Sequence, residues 1–367
     1  MEAMTMQYRP FGATDLKVSA IGLGCAQLGS SSTEYAVRVV QRALDLGVTY
    51  MDVARGYRDA EVKIGLALQG RPRESVVLAT KTSGKTRDDA WQHIQESLQR
   101  LSTDYVDVCH LHGLRQGGDM DQRLGAGGAI EALMQAKEEG LVRHIGCTSH
   151  RWEALVEAIE RFPFEAILVP MNFVEPEPLK TLIPLCQERG VGVTIMKPVA
   201  TGLLPAALAL KWLLNQPIAT AVPGATTMEE SEENALVGHR PIVLTDGEQA
   251  QIEALRLGYE RSRCRVCGFC APCPQGIGVS GHLGTDVMYD HYRTMGPEGF
   301  RAFDWSREAV ERDLASRRED IAAIESCDHC GQCEARCPYG LPVMEMLPRM
   351  LPAMRDMVAY YEEYLSQ

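Results

Sequence analysis

Eight of the twelve cysteines in this 367-residue chain fall into two short runs near its end. The first run reads Cys264-Arg-Val-Cys267-Gly-Phe-Cys270-Ala-Pro-Cys273-Pro274. The second reads Cys327-Asp-His-Cys330-Gly-Gln-Cys333-Glu-Ala-Arg-Cys337-Pro338. Three cysteines at two-residue gaps let one tight loop wrap three corners of a cube of iron and sulfide, and a fourth followed by proline leaves that loop to ligate the other cube. Disulfides would need an oxidising compartment, and nothing here directs export. Zinc takes four ligands in two separated pairs, which leaves the third cysteine of each run without a role. A faint repeat, Cys273-Pro-Gln-Gly-Ile-Gly-Val and Cys337-Pro-Tyr-Gly-Leu-Pro-Val, is what two related half-sites would show. His329, inside a C-x-x-C gap, reads as a bystander.

The second run resembles bacterial two-cluster ferredoxins in its C-x2-C-x2-C-x3-C-P spacing. The first is one residue short before its last cysteine. This resemblance implies that Cys264, Cys267, Cys270 and Cys337 hold one [4Fe-4S] cluster, and that Cys327, Cys330, Cys333 and Cys273 hold the other.

At 367 residues the whole chain is too long for one compact core of ordinary size, but suits a barrel plus a small module. With 45% apolar and 23% charged residues it reads as globular. A formal charge of -12 argues against a nucleic-acid partner, because phosphate binding needs a basic surface. No signal peptide is visible at the start of the sequence. The most apolar segment, Val199 to Leu214, is short and interrupted by Gly202, Pro205 and Lys211, so no membrane association is expected. A cytoplasmic location with reduced thiols is the expectation.

From about residue 18 to 236, apolar β-type runs alternate with amphipathic helical stretches. The strand runs are 18–23, 48–53, 76–82, 105–112, 142–149, 166–171, 192–197 and 220–223. Seven helical stretches separate them and one follows. Among these, 33–46 is closed by Gly47, and 86–101 is opened by Thr86 and Asp89 in a capping-box pattern. Eight such units predict an α/β fold, a (β/α)8 barrel, with 8–18 as a hairpin on its floor. A surface helix over 245–258 and further helical patterns near 286–295 and 307–324 follow. The predicted domains are a barrel over 1–258 and an appended, small, α-rich two-cluster iron–sulfur domain over 259–367. The stretch Gly22-Leu-Gly24-Cys-Ala-Gln-Leu-Gly29 lacks GxGxxG spacing and reads as a turn at the barrel mouth.

Asp52, Tyr57, Lys81 and His112 sit at or just after the ends of predicted strands two, three and four. In a (β/α)8 barrel the strand C-termini form the catalytic face. Charged groups there are poor core filler, since buried Asp and Lys are costly unless paired. The segments Tyr50-Met-Asp52-Val-Ala-Arg-Gly-Tyr57-Arg-Asp-Ala-Glu61, Ala79-Thr-Lys81 and His110-Leu-His112-Gly113 resemble the aldo/keto reductase family. The likeness runs from Tyr8-Arg-Pro-Phe-Gly to Glu233-Asn234. It implies carbonyl–alcohol interconversion with NAD(H) or NADP(H), Tyr57 as general acid, Lys81 drawing the phenol toward useful acidity, Asp52 holding Lys81, and neutral His112 orienting the substrate oxygen. His110, one layer deeper, reads as packed interior. Cys25, Cys109, Cys147 and Cys186 read as small core residues.

The same resemblance implies cofactor contacts from Thr148 and Ser149, Asn172, Lys197 and Pro198, Gly224, Glu230, Glu233 and Asn234, with a helix N-terminus favouring a phosphate. No Lys or Arg occurs between Pro223 and Gly238, while Glu229, Glu230 and Glu232 do, so NAD(H) is favoured. Arg115 and Arg123, in the loop after His112, read as solvated charges. With its appended cysteines the chain resembles the aldo/keto reductases that carry a C-terminal ferredoxin-like domain. The partner expected is a small carbonyl or alcohol. The alternative is an electron-transfer or redox-sensing protein whose barrel binds a nicotinamide nucleotide and whose clusters meet a redox partner.

Overall fold

The computed structural model describes residues 5–366 except 226, 240–241, 261, 286–288, 290–291 and 293–306. Most of the helical pattern expected near 286–295 therefore lies outside the described residues. Two compact units emerge, Met1–Gln249 and Ala250–Gln367. The division falls inside a helix spanning Asp246–Glu260, where the sequence pattern had suggested 258/259.

The first unit opens with an antiparallel hairpin, β1 (Tyr8–Pro10) and β2 (Lys17–Ser19), paired through Arg9 and Val18. Eight parallel strands follow: β3 (Leu23–Gly24), β4 (Tyr50–Asp52), β5 (Val77–Thr82), β6 (Val106–Leu111), β7 (Val142–Thr148), β8 (Ala166–Pro170), β9 (Gly192–Met196) and β10 (Thr220–Ala221). Parallel bridges from Ile21 to Ala221 and from Gly24 to Gly224 join the first edge to the last. Among the described residues, nine helices lie between or just after these strands: α1 (Thr33–Asp45), α2 (Ala60–Ala67), α3 (Arg87–Leu101), α4 (Gly118–Leu124), α5 (Ala129–Glu138), α6 (Trp152–Arg161), α7 (Leu182–Arg189), α8 (Ala206–Leu214) and α9 (Met228–Val237). This is the expected (β/α)8 arrangement.

One boundary differs from the sequence pattern. The apolar run 18–23 is not a single strand. Its first residues pair with β1, and the barrel strand begins beyond them. The break lies at Ser19, whose backbone N–H donates to Thr49 Oγ1 (3.0 Å) while its Oγ accepts from the Thr49 N–H (2.9 Å) and donates to the Ile21 carbonyl (2.7 Å). A polar residue in an apolar run thus turns the chain.

Two apolar layers hold this unit. Inside the sheet, Phe11, Leu16 and Val18 of the hairpin pack with Tyr50, Val77, Ala79, Val108, Ala166 and Leu168. The Phe11 ring so crowds the start of β9 that a Cβ at Gly192 would stand 2.7 Å from it. Outside, residues of alternate parity on the strands meet the helices, with Ile64, Ile94, Leu133, Leu155 and Leu213 among those fully or almost fully buried. Helix starts follow their side chains: Ser32 and Thr86 accept from backbone N–H groups of the first turns of α1 and α3.

In the second unit, helices over Val279–Gly284, Arg307–Glu325, Val343–Arg349 and Leu351–Ser366 surround a core rich in Met346, Met350, Met354, Met357 and Leu347. The cysteine-bearing loops lie beside this core. Among the described residues no helix is long and apolar enough to cross a membrane.

Candidate active site

Asp52 closes β4 and Lys81 lies on β5, and both are buried, 5% and 2% exposed. Two such charges are tolerable only together. Lys81 Nζ stands 2.9 Å from each Asp52 carboxylate oxygen and donates to the Val53 carbonyl at 2.7 Å. Burial works against the Lys81 charge, but attraction to Asp52 and Tyr57 outweighs it and lifts its pKa, so the amine is an ammonium. Burial pushes Asp52 upward against the pull of Lys81.

Tyr57 follows β4 in a turn where its N–H donates to Ala54 O (2.9 Å) and its carbonyl accepts from Ala60. Its ring lies over Lys81, with Nζ 4.8 Å from the centroid, and meets the His112 ring edge-on at 6.0 Å. The sequence pattern suggested that Lys81 would draw the phenol toward neutral acidity. Instead burial dominates and raises the Tyr57 pKa, with Lys81 opposing it by charge and hydrogen bond. At neutral pH the phenol is a protonated donor whose conjugate base faces an ammonium.

His112 follows β6, its N–H donating to Thr82 O (2.8 Å). Burial, then the charges of Lys81, Arg123 and His150, push its pKa down to about 4. It is neutral over the physiological range, as expected. His110 is fully buried and shifted the same way. Cys25, Cys109, Cys147 and Cys186 are buried with thiol pKa values raised by burial, consistent with core roles.

Two residues act behind this group. Arg123, read as a solvated loop charge, is only 2% exposed. Its Nη1 donates to His112 O (2.9 Å) and Nη2 to Thr82 O (3.0 Å), tying together the ends of β5 and β6. Its side-chain partner is Asp119, one helical turn earlier at 3.9 Å, a spacing that in sequence looks like an ordinary surface pair. Arg115 is exposed, as expected. Lys63, also 2% exposed, was missed. Its Nζ donates to Leu28, Gly29 and Ser31 carbonyls and pairs with Asp59 at 2.7 Å. That clamp fixes the loop after β3 beside Tyr57, so closely that a Cβ on Gly29 would stand 2.4 Å from the Tyr57 carbonyl oxygen. Its signal was a lysine three residues after Ala60 and one before Ile64, on the buried side of α2.

The residues expected at a cofactor stand at successive strand ends. Thr148 Oγ1 accepts from Gly113 N–H (2.8 Å), and Ser149 Oγ donates to Leu114 O (2.7 Å), so both brace the turn after His112. Asn172, fully buried, accepts from Val174 and Glu175 N–H groups and donates to Glu175 and to Lys197 O. Lys197 is exposed with φ of 53° and Pro198 is buried. Gly224 bridges to Gly24 and packs against Gln27.

The first turn of α9 is occupied by its own side chains. Thr227 and Glu230 form a reciprocal capping box, and the Met228 N–H donates to Tyr35 Oη at 2.8 Å. Glu233 is exposed and Asn234 buried. A cation does reach α9 from elsewhere: Arg42 of α1 pairs with Glu232 at 2.6 Å.

In the second unit the structure sorts the cysteines into two groups. Cys264, Cys267, Cys270 and Cys337 line one cavity with Arg265, Pro338 and Tyr339. Cys273, Cys327, Cys330 and Cys333 line another with Asp328. A [4Fe-4S] cube fits this arrangement on two counts. First, four thiols line each cavity, and among the described residues no group of His, Cys, Asp or Glu converges as a single ion would require. Second, Arg265 lines its cavity with Nε and Nη1 buried and unbonded, donors that the sulfurs of a cube would satisfy. His329 is exposed.

A sequence profile described as Aldo/keto reductase family matches residues 20–207, and one described as 4Fe-4S dicluster domain matches residues 263–342. An uncharacterized oxidoreductase of Bacillus subtilis is 32% identical over 214 residues, 54% of this chain and 67% of the relative. L-galactose dehydrogenase of Arabidopsis thaliana is 33% identical over 218 residues, again 54% and 67%. Among solved structures, the holo form of an aldo-keto reductase from Bacillus halodurans is similar with a TM-score of 0.60 at 29% identity, covering 68% of this chain and 96% of that one.

Proposed function

The chain belongs to the aldo/keto reductase family and carries a 4Fe-4S dicluster domain, and on that premise we propose that it interconverts a carbonyl and an alcohol with NAD(H), using Tyr57 as general acid and base. The observation that carries this reading is the buried Asp52–Lys81 pair beneath the Tyr57 ring, with neutral His112 at its edge. A nicotinamide dinucleotide held at the strand ends would provide and take back the hydride. Tyr57 gives its proton to the substrate oxygen in reduction and recovers it in oxidation. The Lys81 ammonium stabilises the phenolate left behind, by up to ~4 kcal/mol at close range and intermediate dielectric. Asp52 keeps Lys81 charged and in place. His112, neutral at the barrel mouth, has a ring N–H to orient the substrate oxygen.

The preference for NAD(H) rests on α9. Its leading amides are engaged by Thr227, Glu230 and Tyr35, and Arg42 is paired with Glu232. A 2′-phosphate would meet carboxylates there, whereas a free ribose hydroxyl would not be repelled. Thr148, Ser149, Asn172, Lys197, Pro198, Gly224, Glu233 and Asn234 are proposed to frame the dinucleotide. In the second unit, the two cysteine groups are proposed to hold two [4Fe-4S] clusters.

Tyr57→Phe should lower turnover of a small-aldehyde panel with NADH by about 10²–10⁴-fold, with NADH binding and iron content unchanged. Turnover at the parental rate would defeat the assignment. A second reading, one-electron transfer to a redox partner, is favoured by the dicluster domain. Reduced clusters that reoxidise only with a carrier protein, without carbonyl turnover, would select it.

A further inference from the structure

The two cysteine loops of the second unit are built on one backbone plan with opposite charges. In the first, Cys264-Arg265-Val266-Cys267-Gly268, Val266 and Gly268 have φ of 53° and 81°. In the second, Cys327-Asp328-His329-Cys330-Gly331, His329 and Gly331 have φ of 55° and 72°. The residue after each leading cysteine is therefore an equivalent position, occupied by an arginine in one loop and an aspartate in the other. Each lines the cavity of its own loop.

The two side chains differ in more than sign. The Arg265 guanidinium stacks on Tyr339, 4.1 Å from the ring centroid, and keeps Nε and Nη1 buried without a hydrogen-bond partner. Burying donors without acceptors is unfavourable, so the arrangement makes sense when something rich in acceptors fills the cavity. Asp328 is exposed, accepting from Gln275 Nε2 at 3.0 Å and from the Cys330 N–H at 3.2 Å. Its charge is screened by solvent, while that of Arg265 is much less so.

We propose that Arg265 sets the order of reduction: it donates to the sulfurs of the cluster held by Cys264, Cys267, Cys270 and Cys337, and makes that cluster the more easily reduced of the two. This rests on the two-cluster reading above. A cube bound by four thiolates is anionic and becomes one unit more negative when it accepts an electron. A half-buried cation with two buried N–H-bearing nitrogens favours that state, because cluster potentials follow net charge, hydrogen bonds to sulfur and exposure. Exposure acts the other way, since Cys330 is exposed and Cys270 buried. The charge effect prevails because the guanidinium is within its cavity wall, whereas water reaches only part of the other site. One electron from a low-potential donor then comes to rest at the Arg265 cluster.

The test is a potentiometric titration of the full-length, anaerobically reconstituted protein with dithionite and mediators, followed by electron paramagnetic resonance. The unmodified protein should show two separate reduction steps. Arg265→Gln should lower the reduced-to-oxidised ratio of the first step by tenfold or more at fixed potential, about 59 mV for one electron. Arg265→Lys, which keeps charge but loses the fork, should fall between. Asp328→Asn should shift only the second step, by less and in the opposite direction. Two coincident steps, or an Arg265→Gln titration superimposable on the unmodified one with both clusters present, would overturn the proposal. Iron and sulfide content is read in the same samples. A shortfall there would sink the two-cluster reading and this inference with it, whereas full content with unshifted steps sinks only the inference.

Discussion

In the barrel unit, Lys81 donates to Asp52 and to the Val53 carbonyl, and Lys63 donates to three carbonyls and pairs with Asp59. In the cysteine-rich unit, Arg265 lies against a tyrosine ring with two buried nitrogens unbonded. The barrel supplies partners for those two lysines from its own strands and loops, so the geometry around Tyr57 is set by the polypeptide. The second unit gathers its thiols, and the buried Arg265 nitrogens, around two cavities. Its cysteine loops contain little regular structure beyond the four-residue helix Gln332–Ala335. One unit is preorganised by protein groups; the other needs its inorganic group to be complete.

That contrast is most easily broken by removing iron. Anaerobic chelation should free the cysteine loops, because ligand binding and loop ordering are one equilibrium. Limited proteolysis with mass spectrometry should then cut within 262–278 and 327–341, while the barrel keeps its thermal transition. Loops that stay protected after complete iron loss would show that the protein alone orders them. The corresponding disruption in the barrel is Lys81→Met. It strands the buried Asp52 charge and should cost about 3–5 kcal/mol in denaturant unfolding. Adding Asp52→Asn should recover much of that stability but none of the turnover. Unaltered stability in the single variant would mean that the pair is not the prebuilt element described.

The same contrast explains what could be read from the sequence. The tetrad was legible because charged residues at strand ends are hard to explain as core, and the barrel because eight runs keep a regular alternation. The cysteine grouping came from the resemblance of the runs to two-cluster ferredoxins, and the two cavities are lined in the same grouping. The burial of Arg123 was not legible, because its close hydrogen bonds go to carbonyls and its pairing with Asp119, four residues earlier, looks like an ordinary surface ion pair. Lys63 was obscured in the same way, by three carbonyl acceptors and by Asp59 four residues earlier, despite lying on the apolar side of α2. The position of the first barrel strand depended on the reciprocal Ser19–Thr49 bonds, a contact between residues thirty apart. Tyr57's acidity also resisted sequence reasoning, since it is decided by a balance between burial and Lys81 that only the packing sets.

The smallest effects concern His112, and they separate a preorganised charge from an incidental one. Its folded-state pKa of about 4 lies below the ~6.5 of an unfolded histidine. As pH falls, the unfolded chain takes up this proton first. The stabilisation is therefore present above pH ~6.5 and is lost as pH drops toward 4, amounting to about 3 kcal/mol at most. Comparing unfolding of the parent and His112→Gln across that interval isolates the contribution from other titrating groups. Lys81, Arg123 and His150 all face this ring. Removing Arg123's charge as Arg123→Met should raise the His112 pKa, by less than about one pH unit, since burial and Lys81 remain. Proton NMR of the imidazole follows it directly, without relying on turnover. Arg123→Met also removes a donor from the His112 and Thr82 carbonyls, the latter keeping only the His112 N–H, so stability alone would fall even if Arg123 were only a clasp. The imidazole titration is the readout that a clasp would not move, and an unchanged midpoint would reduce Arg123 to that role.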